Sequence, residues 1–134
     1  MDEILWAQIF HDTVSNSSWL VDKSFSPGRW AVGYDFLYVL YRALSSFRPK
    51  KILELGLGQT THMISQYVSA NTDVKHTVVE HDLSWIKFYE KEHTILDRTE
   101  VIQMDLCDRS FMENQVTAYK DFSHRLTGGG GDVL

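Results

Sequence analysis

The chain has 134 residues, 43% apolar and 23% charged, which fits one globular domain with a modest core. Its net charge of −5 supplies no basic footprint for nucleic acid or for an anionic membrane surface. Cys107 is the single cysteine, which excludes an internal disulfide, and the acidic start Met1-Asp2-Glu3 is unlike a secretory signal, so a cytoplasmic protein is expected.

Ile4, Leu5, Gln8, Ile9 and Asp12 fall at helical intervals and predict a short helix over Glu3 to Thr13 with a partly apolar face. The pattern then dissolves into Ser15-Asn16-Ser17-Ser18 and Ser24-Phe25-Ser26-Pro27-Gly28, with Trp19, Phe25 and Trp30 among the turn residues. Such aromatics either anchor a loop on the domain or form a lid over a pocket, and their area favours anchoring. Residues 1–33 are read as an N-terminal helix and loop, a candidate lid, and 34–134 as the main domain. The most apolar stretch, Trp30 to Leu44, carries Asp35 and Arg42 and falls short of the ~20 residues a membrane-spanning helix needs. From Tyr34 onward Leu37, Leu40, Tyr41, Leu44 and Phe47 share one helical face, and Pro49 ends the helix.

Ile52-Leu53-Glu54-Leu55 is a short apolar run with one acid inside it, as expected of a strand buried in a parallel sheet. Gly56 and Gly58 follow at once and allow a sharp bend that brings backbone close to a ligand. A helix starts at Thr60 or Thr61, with Met63, Ile64, Tyr67 and Val68 on its apolar face. The β-branched run His76 to Glu80 predicts a second strand, Asp82 caps a helix over Leu83 to His93 with Ile86 and Tyr89 inward, and Glu100 to Asp105 predicts a third strand. The order is βαβαβ, hence a three-layer α/β fold of Rossmann type with parallel strands and preceding helices. The glycine bend and the acids Glu54, Glu80 and Asp105 then gather toward the carboxyl edge of the sheet, where open α/β sheets bind ligands.

A phosphate-cradling loop would need Gly-Lys-Ser/Thr, and a dinucleotide fingerprint would need a third glycine where Thr61 stands. Ile52-Leu53-Glu54-Leu55-Gly56-Leu57-Gly58-Gln59-Thr60 instead resembles motif I of the class I S-adenosylmethionine-dependent methyltransferases. The resemblance covers residues 30–134. It implies that Glu54 helps hold the methionine end of S-adenosylmethionine, that Glu80 accepts from the ribose hydroxyls and that Asp105 meets the adenine amino group. Gly56, Leu57, Gly58, Gln59 and Thr60 supply the bend, and His81 and Leu106 complete the expected cofactor-binding set. The implied acceptor is a small molecule or saccharide, and no catalytic base is assigned. An ionised carboxylate is a pure acceptor, which suits diols and amines.

Two other readings stay open. A nicotinamide dinucleotide oxidoreductase would also use an acid after the second strand, a place Glu80 fills. The other is a non-catalytic nucleotide-binding or interaction module; residue by residue, the glycines also suit tight packing with no ligand, Asp105 a cap or a solvated loop, and Asp82 a helix cap. The six histidines lack metal-ligand spacing, and Cys107 reads as a buried small hydrophobe.

Beyond Leu106, Gln115 to Tyr119 reads as an extended piece, Lys120 to Leu126 as a helix, Gly128 to Gly131 as flexible, and Asp132-Val133-Leu134 as the start of a fourth strand. Class I methyltransferases continue with further strands, so an incomplete sheet is expected, in a chain that either self-associates through the exposed first strand or is a fragment of a longer protein.

Overall fold

The computed structural model describes residues 2–26, 32–93, 98–111 and 114–119. In chain order these form α1 (Glu3–Val14), α2 (Tyr34–Phe47), β1 (Lys51–Leu55), α3 (Gln59–Ala70), β2 (Lys75–Glu80), α4 (Leu83–Glu92), β3 (Thr99–Gln103), β4 (Leu106–Phe111) and β5 (Asn114–Tyr119). The architecture is α/β, with four helices and a parallel sheet of order β1-β2-β3, consistent with part of a Rossmann-like fold. The described residues fall into two compact units: one lies within Met1–Lys50 and Gly58–Val74, the other within Lys51–Leu57 and Lys75–Leu134.

The first unit is helical. Asp2 caps α1 by accepting the Leu5 N–H at 2.8 Å. The buried stripe of α1 is Phe10 and Val14, while Ile4 and Leu5 are exposed, a helix rotation different from the one the aliphatic pattern predicts. The reason is aromatic: Phe10 meets Phe25 edge-on at 5.6 Å and Tyr34 at 5.6 Å, and Trp6, one turn earlier, meets Tyr38. Leu37, Leu40 and Leu44 of α2 are buried as expected. Phe47 departs from that face and is 83% exposed, since the helix ends one residue later at Arg48 in the left-handed conformation (φ 50°), its N–H donating to Leu44 O.

The loop after α1 is sewn to α3 by two glutamines seven residues apart. Gln66 Oε1 accepts the Val21 and Asp22 N–H groups, and Gln59 Oε1 accepts the Ser26 N–H at 2.8 Å. Trp19 and Phe25 are anchors in this loop, Trp19 stacking on Tyr41 and Phe25 meeting His62.

The second unit holds the sheet. Ile52 pairs with His76 and His76 with Thr99, so register partners share a face across all three strands. One face gathers Leu57, Val78, Ile86 and Tyr89 with Val101, and the other gathers Leu53, Val79 and Met104 with Ile102 and Tyr119. The third strand stops two residues before its predicted end, leaving Met104 and Asp105 beyond it. β4 and β5 form an antiparallel hairpin in which Leu106 pairs with Tyr119; only the second of these strands is visible in the sequence pattern. Cys107 is half-buried rather than buried.

Pro27, Gly28, Trp30, the predicted helix over Lys120 to Leu126, the tetraglycine and Asp132 to Leu134 lie outside the described residues. Among the described residues no helix is long and apolar enough to cross a membrane.

Candidate functional site

A carboxylate inside a buried strand requires a partner. Glu54 is 6% exposed, and its Oε2 lies 3.2 Å from Nε2 of the fully buried His76. The other ring nitrogen of His76 is 3.2 Å from Thr99 Oγ1, so the imidazole bridges β1 and β3 through β2. Tyr89 packs on this same face, and its phenol is pushed well above the ordinary tyrosine value, first by burial and then by the Glu54 charge. Glu54 therefore has an internal partner, besides whatever contact the motif resemblance implies for it.

The bend after β1 is built from backbone and one acid. Gly56 has φ +93°, and a Cβ there would meet nothing within 4 Å, so the requirement for glycine is conformational. Its N–H donates to Val79 O at 2.8 Å and extends the β1–β2 ladder. Leu57 is buried; its N–H donates to Glu80 Oε1 at 3.0 Å and its carbonyl accepts the Trp85 indole N–H at 2.7 Å. The other oxygen of Glu80 accepts the His81 and Asp82 N–H groups at 2.8 and 2.9 Å, with His81 Nδ1 at 3.1 Å. An ionised carboxylate has about four lone-pair sites, and three backbone donors fill most of them here. Asp82 caps α4 as predicted, accepting the Trp85 N–H.

Asp105 is exposed and joined to this group by Gln103, whose amide donates to both His81 O and Asp105 Oδ1 at 2.9 Å. Leu57, Glu80, His81 and Asp105 thus lie along one continuous set of hydrogen bonds at the carboxyl edge of the sheet. Leu106, 41% exposed, opens β4 just beyond. The remaining residues of the predicted set lie in the helical unit at the start of α3. There the Gly58 N–H donates to Thr61 Oγ1 at 3.0 Å, Gln59 holds the Ser26 loop, and Thr60 is half-buried.

His76, Gln103 and Trp85 escape the sequence reading. His76 had a signal: an acid in an apolar strand calls for a polar partner at a neighbouring strand position. Gln103 and Trp85 had none, since their roles depend on where β3 stops and how α4 is rotated.

Compared with family models, curated proteins and solved structures, the chain matches none. Among the described residues no group of three or more histidines, cysteines and acids is placed to hold a metal ion. The chemistry offered at the sheet edge is that of acceptors: an exposed carboxylate at Asp105, a half-exposed imidazole at His81 and the remaining acceptor capacity of Glu80.

Proposed function

We propose that this chain is the cofactor-binding part of a cytoplasmic S-adenosylmethionine-dependent methyltransferase whose acceptor is a small molecule or saccharide. The observation that carries the reading is the hydrogen-bonded run from Leu57 through Glu80, His81 and Gln103 to Asp105, beside the left-handed Gly56. The carboxyl edge of a parallel sheet is where such folds take ligands. In this reading Asp105 accepts from the adenine amino group, and the remaining lone pair of Glu80 Oε1, which carries the Leu57 N–H alone of the three backbone donors, takes a ribose hydroxyl. Methyl transfer asks little of the protein beyond alignment, because attack on an activated sulfonium gains chiefly from proximity and orientation.

Titration calorimetry with S-adenosylmethionine, S-adenosylhomocysteine and NAD tests this. Binding of the first two but not NAD, weakened about tenfold by Asp105→Ala, is the expected result for loss of a charge-assisted hydrogen bond. Binding of NAD alone supports the oxidoreductase reading. The filling of Glu80 by the protein's own N–H groups favours a second reading, a bend with a purely structural purpose in a non-catalytic module, and absence of all binding supports that one. Self-association through the outer edge of β1, which has no partner strand among the described residues, belongs to the same proposal and is read by light scattering.

A further inference from the structure

A groove of about 630 Å³ lies in the helical unit. Three segments build it: the turn after α1, the last turns of α2 and the end of α3. Each is fixed by its own hydrogen bonds. Ser17 Oγ accepts the Trp19 and Leu20 N–H groups at 3.3 and 3.0 Å, and the fully buried Leu20 pins the turn. The Trp19 indole N–H donates to Ser45 Oγ at 3.3 Å while its ring stacks on Tyr41, centroids 5.0 Å apart and planes 21° from parallel. On the third side, the Tyr67 hydroxyl donates to Pro49 O at 2.8 Å, and Asn71 donates to Tyr67 O at 2.8 Å.

The lining has a defined chemistry. Trp19 and Tyr41, both partly exposed, offer aromatic surface. Around them stand the neutral hydroxyls and amides of Asn16, Ser18, Ser45 and Asn71. Arg48 is the one charged residue in the lining, and no carboxylate among the described residues pairs with it. The nearby Asp73 is neutralised by Lys50 at 2.6 Å. Arg48 also springs from the left-handed cap of α2, so its stem starts from a fixed point.

We propose that this groove binds a saccharide carrying one anionic group, the ring lying on the Trp19–Tyr41 aromatics and the anion meeting Arg48. A mixed wall of aromatics and neutral hydrogen-bonding groups suits a ring with apolar C–H faces and equatorial hydroxyls, and the volume lies within the range of small-ligand sites. A lone guanidinium in a protein of net charge −5 singles out a carboxylate or phosphate as the charged end. The proposal does not rest on the methyl-transfer reading, because none of the residues lining the groove belongs to the expected cofactor-binding set.

The test is calorimetry of the full chain with glucuronate, glucose 1-phosphate, glucose and inorganic phosphate. The expected result is binding of at least one of the two anionic sugars at least tenfold tighter than both glucose and phosphate. Which anionic sugar binds tighter tells carboxylate from phosphate as the anion. Arg48→Asn, which removes the charge but tolerates the left-handed backbone, is expected to abolish the preference over glucose. Trp19→Phe, which keeps a ring, is expected to weaken both anionic sugars without unfolding the chain by circular dichroism. Phosphate binding as tightly as the sugars, no sugar binding at all, or an Arg48→Asn variant with unchanged preference would each overturn the proposal.

Discussion

Glu80 Oε1 accepts the Leu57 N–H at 3.0 Å, so the side chain that ends β2 holds the backbone that leaves β1. The acid expected to greet a ligand also organises the bend. Glu80→Ala leaves three backbone donors without their acceptor and is expected to cost about 2–4 kcal/mol of stability; Glu80→Gln, which keeps one carbonyl, is expected to cost about half as much. Urea unfolding of the two variants measures this. Equal stability of Glu80→Ala and the parent would show that the acid is not a structural support.

The two glycines of the bend should separate. Gly56 sits at φ +93°, so Gly56→Ala is expected to cost about 1–2 kcal/mol from backbone strain alone. Gly58 is extended at φ 177° with open space where a Cβ would be, so Gly58→Ala is expected to change stability by less than about 0.5 kcal/mol. If backbone must approach a cofactor there, the same variant folds normally yet loses S-adenosylmethionine affinity in calorimetry.

Glu54 and His76 should be energetically coupled. A double-mutant cycle with Glu54→Gln and His76→Gln, followed by chemical denaturation, is expected to give an interaction energy of about 1–3 kcal/mol. A value near zero would mean that the 3.2 Å contact contributes nothing.

Alkaline pH should weaken the fold through Tyr89. Its pKa is raised above the ordinary 10.0, by burial first and the Glu54 charge second. Between the unfolded value and the higher folded one the native state retains a proton that the unfolded chain has released, so stability present below pH 10 falls as pH rises beyond it. Tyr119 and Tyr67 are shifted in the same direction and add to the slope. Tyr89→Phe removes the largest contributor, and its unfolding free energy is expected to fall less steeply above pH 10 than that of the parent.

The parallel βαβαβ core was legible because its signals are local: apolar runs at Ile52 and Thr77, the glycine pair between strand and helix, and Asp82 placed to cap α4. Side-chain direction at chemically ambiguous positions was not. Glu80 stands where a ligand acid is expected, and its carboxylate also accepts from the backbone of the bend, a contact with no signal in the sequence. Phe47 continues the apolar stripe of α2 but falls where the chain leaves the helix, and Ile4 and Leu5 yield their face to Phe10 because Phe25 and Tyr34 close on it. β4 was missed because Leu106-Cys107-Asp108-Arg109-Ser110-Phe111 carries little β-branching or clean alternation; its strand character comes from pairing with β5.

The buried imidazole between β1 and β3 bears on how the sheet finds its alignment. Strands made of isoleucine, leucine and valine pack almost as well one residue out of step, and apolar contacts alone are poor judges of the error. Slipping β2 by one residue turns His76 to the opposite face and takes it away from both the buried Glu54 carboxylate and the partly exposed Thr99 hydroxyl. The polar trio thus acts as a checksum on strand alignment, penalising the near-misses that an oily sheet would otherwise tolerate.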